Sequence, residues 1–197
     1  MLVVFAAIAA ALGSQLLASS SSTAASLIDV PRREHRASRT EHRGALGEAG
    51  GAVPDGATVF DREIPGVANL EPELLDALRQ AAVDAATEGI GLVVDSGWRS
   101  PEYQNQLLRE AVTEYGSEEE AARWVATART SAHVSGDAVD IGPVAATVWL
   151  SEHGAWYGLC QIYGNEPWHY ELRPEAIDHG CPAMYVDPTH DPRMQQR

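Results

Sequence analysis

Helical patterns come first in this sequence and strand patterns cluster late, and this order constrains the fold more than any other feature. In residues 72–89 apolar side chains recur at helical spacing, at Leu74, Leu75, Leu78, Ala81, Ala82 and Ala85. Pro72 stands near the start of that segment and Gly89 at its end, as expected for helix boundaries. A second helix is predicted over 101–116, and the capping-box spacing of Ser117 and Glu120 predicts a third over 117–128.

The predicted strands are short and lie mostly in the second half of the chain. They cover residues 90–96, 137–142, 157–163 and 168–172, with one further helix over 144–154. Strands and helices do not alternate regularly, so a parallel sheet is not expected. The sequence therefore predicts an α+β fold, with a small and mostly antiparallel sheet flanked by helices.

The chain has 197 residues, enough for one domain with a proper core and additional tails. We predict that the domain occupies residues 57–197. Residues 26–56 lack periodic apolar positions and end rich in Gly and Pro, which indicates a flexible tether. Residues 1–25 are apolar at first and then small and hydroxylated, which is typical of a signal peptide. No basic residue precedes the apolar run, so a retained membrane anchor is the alternative, and a buried helix of the domain is a third interpretation.

Net charge and cysteine usage narrow the class of protein further. The formal net charge of −14 repels phosphate backbones, so nucleic acid is not an expected partner. The signal peptide predicted at residues 1–25 indicates export. We therefore expect a secreted or cell-wall-associated protein, or one anchored in the membrane by its N-terminus. In an exported protein the two cysteines, Cys160 and Cys181, predict a disulfide. Two free thiols or a pair of metal ligands are the alternatives.

Two short segments carry side chains that could hold a metal ion. The segment "SAHVSGDAVDIG" contains His133 and Asp140, and "NEPWHYEL" contains Glu166 and His169. In a regular strand, residues three apart face opposite sides. Pro167, however, belongs at a strand entrance or a bulge, where Glu166 and His169 can both turn toward one pocket.

Two imidazoles and one carboxylate suit zinc and leave a fourth tetrahedral position for water, which is typical of a catalytic site. Zinc lowers the pKa of that water, and a neighbouring carboxylate such as Glu166 can take its proton and pass it to a leaving amine. Asp137 also lies between His133 and Asp140. Spacing alone does not decide which of the two aspartates is the ligand.

Three segments resemble signatures of the VanX/VanY-type D-alanyl-D-alanine peptidases, in the lysostaphin, D-Ala-D-Ala and hedgehog (LAS) metallopeptidase superfamily. "SAHVSGDAVDIG" matches Ser-x-His-x-x-Gly-x-Ala-x-Asp, and "EPWH" matches Glu-x-x-His. "SGWRSPEYQ" resembles the family's Ser-Gly-Tyr-Arg-Ser element, with Trp98 in place of Tyr. The likeness covers about residues 58–185 in family order, and it implies that residues 57–197 are a zinc peptidase domain.

The resemblance implies a role for each matching residue. His133, Asp140 and His169 would bind Zn²⁺, and Glu166 would be the catalytic base. It is the family signature that selects Asp140 over Asp137.

Three further residues receive roles from the same resemblance. Arg99 would hold the substrate carbonyl or its developing oxyanion, and a salt bridge that secures its loop is the alternative. Ser131 would contact the terminal carboxylate of the substrate, or cap a turn. Gln104 matches a family glutamine that follows the arginine loop, and both a substrate contact and a structural role stay open.

The function implied is that of an exported zinc carboxypeptidase that removes the C-terminal D-Ala from peptidoglycan stem peptides ending in D-Ala-D-Ala. Alternatives with the same chemistry are an L,D-carboxypeptidase and a cell-wall endopeptidase. A non-catalytic, zinc-stabilised binding module is the alternative from a different class, and the retained Glu166 argues against it. The expected partner is the stem peptide, and a membrane is expected to be involved only through an uncleaved N-terminal segment.

Overall fold

The computed structural model describes residues 47–195. The predictions made for residues 1–25, and for the tether as far as residue 46, lie outside the described residues. Between residues 47 and 195, no helix is both long enough and apolar enough to cross a membrane.

Four strands and seven α-helices make up the described part of the chain. The strands are β1 (Val93–Ser96), β2 (Ala138–Gly142), β3 (Leu159–Gln161) and β4 (His169–Leu172). The helices are α1 (Pro65–Ala68), α2 (Pro72–Thr87), α3 (Pro101–Tyr115), α4 (Glu118–Ala121), α5 (Ala132–Ser135), α6 (Val144–His153) and α7 (Ala176–His179). Short 3₁₀ turns lie at Glu48–Gly50, Gly154–Tyr157, Pro188–His190 and Pro192–Gln195.

The strands form one sheet in the order β1–β2–β4–β3, in which each pair of neighbours is antiparallel. This confirms the predicted α+β fold with a small antiparallel sheet. The strands β2 and β4, which belong to the two segments with predicted metal ligands, lie side by side at the centre of the sheet.

One face of the sheet is apolar and packs with α2. The buried stripe of α2 has the predicted helical spacing, and Pro72 occupies the first turn of the helix. Leu74 and Leu78 belong to the same hydrophobic cluster as Val139 and Ile141 of β2 and Tyr170 of β4. Side chains alternate along a strand, so the residues between these, Asp140 in β2 and the neighbours of Tyr170 in β4, point to the opposite face.

The predicted third helix, over 117–128, is shorter than expected. Its cap is present, because Ser117 Oγ accepts a hydrogen bond of 3.1 Å from the backbone N–H of Glu120, but α4 ends at Ala121. Side chains from elsewhere bind the backbone carbonyls that follow: Asn165 donates to the carbonyl of Arg123, and Gln104 to that of Ala126. These long-range hydrogen bonds occupy carbonyls that a longer helix would use for its own backbone hydrogen bonds.

Residues 47–56, which the prediction assigned to the tether, belong to the described structure, and some of them contact the domain. Gly50 and Gly51 are buried, and the carbonyl of Gly50 accepts a hydrogen bond of 2.9 Å from the backbone N–H of Ser100. Gly51 has φ 101°, and a side chain there would collide with the carbonyl of Trp98. The last residues of the predicted tether therefore pack against the loop that carries Arg99.

The predicted disulfide is confirmed. Cys160, at the centre of β3, is bonded to Cys181, which follows α7. The bond links β3, an edge strand of the sheet, to residues 181–195, which we call the C-terminal segment.

We expect the Cys160→Ala/Cys181→Ala variant to lose about 3 kcal/mol of unfolding free energy, because the bond closes a loop with a sequence separation of 21 residues. Denaturant unfolding of the variant and of reduced wild-type protein measures this loss. The reduced protein keeps both side chains and is the control for packing. An unfolding free energy unchanged in both would contradict the prediction.

Candidate metal centre

Strand register brings two of the predicted ligands together. Asp140 in β2 is directly opposite His169 in β4, and Ser96 in β1 is opposite Asp140 on its other side. Directly opposed residues of antiparallel strands have Cβ atoms only about 5 Å apart on the same face. The pairing therefore places a carboxylate beside an imidazole on the face of the sheet away from α2.

The third predicted ligand, His133, comes from the short helix α5. Gly136 ends that helix with φ 85° and lies so close to the backbone at Asn69 that a side chain would collide with it. The left-handed turn at Gly136 leads the chain from α5 directly into β2, so that His133 and Asp140 meet at the same point.

The structure places one ligand atom each from His133, Asp140 and His169 within 4.8 Å of one another, and all three residues are buried. Asp140 Oδ1 lies 3.4 Å from His133 Nε2 and 3.4 Å from His169 Nδ1. Asp137, the alternative carboxylate, is exposed and accepts a hydrogen bond from Ser135. The geometry therefore groups Asp140, and not Asp137, with the two histidines.

In both histidines, the ring nitrogen that faces away from Asp140 lies next to a group that accepts hydrogen bonds. His133 Nδ1 lies 2.8 Å from the carbonyl oxygen of Gly97, which can only accept, so this nitrogen carries the proton and Nε2 presents its lone pair. His169 Nε2 faces the carboxylate of Glu171 at 3.3 Å. His169 Nδ1 is buried and makes no hydrogen bond within residues 47–195. A buried nitrogen of this kind, beside a carboxylate and a second imidazole, fits a cation ligand.

The pocket favours one positive charge even without a metal. Burial, with the charge of Arg99 adding to it, lowers the pKa of His133 to about 4. Burial would also lower the pKa of His169, but the carboxylates of Asp140 and Glu171 outweigh this and raise it to about 10. Burial would raise the pKa of Asp140, but His133, His169 and Arg99 hold it well below its usual value. Asp140 is therefore an ionised carboxylate, as a metal ligand must be.

Glu166 lies beside this group, at the entrance of β4. The backbone N–H of His169 donates to the carbonyl of Glu166 at 3.1 Å, which closes a turn through Pro167 before the strand begins. The turn places Glu166 Oε2 3.7 Å from His169 Nδ1, on the same side as the ligand atoms. The prediction that Pro167 lets both side chains face one pocket agrees with this geometry.

Arg99 reaches the same pocket and forms a salt bridge with Asp140. Its guanidinium donates to Asp140 Oδ2 at 3.0 Å, to Ser96 Oγ at 2.9 Å and to Gln104 Oε1 at 3.1 Å. This ion pair neutralises the outer oxygen of Asp140 and leaves Oδ1 directed at the histidines.

Gln104 and Ser131 differ in what the structure says of them. Gln104 is fully buried, and its amide joins Arg99 to the carbonyl of Ala126. Ser131 is buried at the start of α5, and its side chain makes no capping hydrogen bond.

The sequence prediction missed Glu171. It is fully buried, on the same face of β4 as His169, and its carboxylate contacts the ring of that histidine. The available signal was its position two residues after His169 in a strand, because residues i and i+2 share a face.

The sequence profile described as "VanY: D-alanyl-D-alanine carboxypeptidase" matches residues 67–175, which include all four strands and every residue predicted to bind metal, catalyse or bind substrate. A curated relative, the D-alanyl-D-alanine carboxypeptidase of Enterococcus faecalis (strain ATCC 700802 / V583), is 32% identical over 126 residues. The aligned part is 51% of this chain and 46% of the relative, so the chain spans less than half the length of that protein.

Solved structures match this chain over somewhat more than half of its length. The vancomycin resistance D,D-pentapeptidase VanY, crystallised as a mutant in complex with Zn(II), is 28% identical with a TM-score of 0.50, over 52% of this chain and 72% of that one. VanYB in complex with D-alanine-D-alanine is 27% identical with a TM-score of 0.52, over 56% and 74%. The LD-carboxypeptidase LdcB is 26% identical with a TM-score of 0.52, over 63% and 69%.

Replacing Gly97 should weaken metal binding, because a side chain there would collide with the carbonyl of Gly66 and shift the carbonyl that holds His133. We expect Gly97→Ala to lower zinc affinity roughly tenfold, as is typical when a group that orients a ligand is disturbed. Competition with a chromophoric chelator measures the affinity. Gly91→Ala is the matched control, because its added methyl group would meet no atom within 4 Å. Equal affinities in the two variants would contradict this account.

Proposed function

The chain belongs to the VanY family of D-alanyl-D-alanine carboxypeptidases, and on this premise we propose that it is an exported zinc carboxypeptidase. Its substrate would be the peptidoglycan stem peptide that ends in D-Ala-D-Ala, and its product the same peptide without the last D-Ala. The observation that carries the proposal is the convergence of His133, Asp140 and His169, with the carboxylate of Glu166 beside them.

The residues present fit a zinc ion. His133 Nε2, Asp140 Oδ1 and His169 Nδ1 would hold it, since these atoms already face one another in a buried pocket. The set of two imidazoles and one carboxylate is one that catalytic zinc sites use, and a similar VanY was crystallised with Zn(II). Bound zinc supplies Lewis acidity, which lowers the pKa of water toward neutrality and polarises a carbonyl.

Glu166 would act as the base. Its carboxylate would take the proton of the attacking water and then give it to the nitrogen of the leaving D-Ala. Its position supports this role, because Glu166 is buried and its carboxylate lies 3.7 Å from a nitrogen of the proposed ligand set.

Arg99 would supply positive charge at the developing oxyanion while it remains paired with Asp140. Gln104 would act through Arg99, by holding its guanidinium, and not on the substrate. For Ser131 we propose contact with the terminal carboxylate of the peptide, a role supported by the family signature and by its position two residues before His133.

An L,D-carboxypeptidase is the second candidate, because LdcB is as similar in fold as VanYB, with a TM-score of 0.52 in both comparisons. The two reactions use the same centre and differ in the stereochemistry of the bond that is cut. Export is supported by the apolar N-terminal segment and by the disulfide, a bond that persists in oxidising compartments.

Incubation with defined peptides distinguishes the candidates. We expect the protein with zinc to convert a pentapeptide ending in D-Ala-D-Ala to the tetrapeptide with release of D-Ala, because the family's carboxypeptidases act on that terminus. Mass spectrometry of the products measures this. Trimming of the tetrapeptide but not of the pentapeptide would favour the L,D-carboxypeptidase. No cleavage of either would contradict both.

Removing the proposed base should separate chemistry from metal binding. We expect Glu166→Ala to lower kcat by at least about a hundredfold, as loss of a general base does, and to keep one zinc per chain. Product formation gives the first quantity and elemental analysis the second. Glu175→Ala removes an exposed carboxylate and should leave both unchanged. Loss of zinc from Glu166→Ala would instead make Glu166 a ligand, contrary to the assignment.

A further inference from the structure

We propose that Glu171 and Arg193 form a positioning pair that orients the ring of His169, so that the C-terminal segment sets the metal affinity of the centre. The inference rests on the proposed function, because it takes His169 as a zinc ligand. It concerns two residues outside the sequence signatures, one of them near the end of the described chain.

Glu171 stands where it can orient the histidine. It is fully buried in β4, two residues after His169 and on the same face of the strand, with Ala138 and Cys160 opposite it in the strands on either side. Its Oε1 lies 3.3 Å from His169 Nε2.

The chemistry of the contact selects one tautomer of His169. An ionised carboxylate only accepts hydrogen bonds, so Nε2 must carry its proton toward Glu171. The lone pair is then on Nδ1, the nitrogen that lies 3.4 Å from Asp140 Oδ1. In the other tautomer two acceptors would face each other, and the lone pair would point away from Asp140 and His133. A carboxylate behind a ligand histidine also raises the basicity of the ring.

Arg193 holds Glu171 in place from the last 3₁₀ turn of the described chain, Pro192–Gln195. Its two terminal nitrogens contact the two oxygens of Glu171 at 2.7 and 3.1 Å, a bidentate pair. Arg173 also donates to Glu171, at 2.6 Å, but to Oε2 alone. Among residues 47–195, Arg193 is therefore the only arginine that contacts Oε1, the oxygen which faces His169.

Arg193 is also connected to the ring of His169 through two other residues, Asp191 and Tyr163. Arg193 is itself bonded to Asp191, at 2.6 Å, and Asp191 accepts a hydrogen bond of 3.0 Å from the hydroxyl of Tyr163. The ring of Tyr163 packs on that of His169, with their centroids 5.0 Å apart. A closed circuit of contacts thus starts and ends at His169, and two of its members, Asp191 and Arg193, belong to the C-terminal segment.

The energetic reason for the circuit is the buried charge of Glu171. A carboxylate removed from water is costly unless cations and hydrogen bonds compensate it. When Arg193 is removed, Glu171 keeps Arg173 on Oε2, but Oε1 has only His169 itself as a partner and loses the group that holds its position. The ring of His169 is then free to adopt other orientations, of which few direct Nδ1 at the metal.

The test compares zinc affinities of variants by competition with a chromophoric chelator. We expect Arg193→Ala to bind zinc at least about tenfold more weakly than the wild type, the usual effect of removing a group that supports a ligand. Arg193→Lys keeps the charge but not the bidentate geometry, and its affinity should lie between those two. Excess zinc should restore the kcat of Arg193→Ala, because the residue acts on metal binding and not on the reaction.

Arg123→Ala is the matched control. Arg123 anchors the same C-terminal segment through Asp187, at 3.0 Å, yet it contacts neither Glu171 nor His169. We expect its zinc affinity to stay within about threefold of the wild type, well inside the tenfold effect predicted for the supporting group. Cobalt-substituted protein gives a second readout, since the visible spectrum should change in Arg193→Ala and not in Arg123→Ala.

The outcomes are distinct. Wild-type zinc affinity in Arg193→Ala would overturn the inference and leave the proposed function intact. Equal losses in Arg193→Ala and Arg123→Ala would also overturn it, because general loosening of the C-terminal segment would then be the cause. A wild-type protein that binds no zinc would overturn the proposed function, and this inference with it.

Discussion

The register between β2 and β4 is the constraint on which the rest of the structure depends. It sets Asp140 opposite His169 and, through the alternation of the strands, directs Val139, Ile141 and Tyr170 into the core against α2. A slip of one residue would bury Asp140 in the apolar core and turn valine or isoleucine toward the histidines. The same packing that stabilises the domain therefore assembles the site, and the two cannot vary independently.

Charge pairing explains how so many ionised groups are accommodated in one pocket. Asp140 and Glu171 are buried carboxylates, and each has an arginine on its far side, Arg99 and Arg193 respectively. Arg99 contacts one oxygen of Asp140 and leaves the other to the histidines, whereas Arg193 contacts both oxygens of Glu171, one of which also faces His169. Paired in this way, a buried carboxylate avoids most of the desolvation cost that an isolated one would incur. The centre keeps negative potential where a cation would bind, although the carboxylates themselves are compensated.

The sequence predicted what depends on local pattern and signature. Helical spacing located α2, the proline before His169 indicated a turn that brings Glu166 to the ligand side, and the signature chose Asp140 over Asp137. What it could not predict depends on contacts between distant segments. The third helix ends early because Asn165 and Gln104 bind carbonyls beyond α4, and local propensity carries no information about those partners. Likewise Glu171 was an ordinary strand residue until the structure showed Arg193, 22 positions away, against it.

The central claim is that two imidazoles and one carboxylate, from α5, β2 and β4, bind a single zinc ion. X-ray absorption at the zinc edge of the purified protein tests it most directly. The account predicts one zinc per chain with nitrogen and oxygen neighbours at about 2.0–2.1 Å, the outer-shell scattering of two imidazole rings, and no sulfur. A spectrum without imidazole scattering, or one with sulfur neighbours at about 2.3 Å, would contradict it.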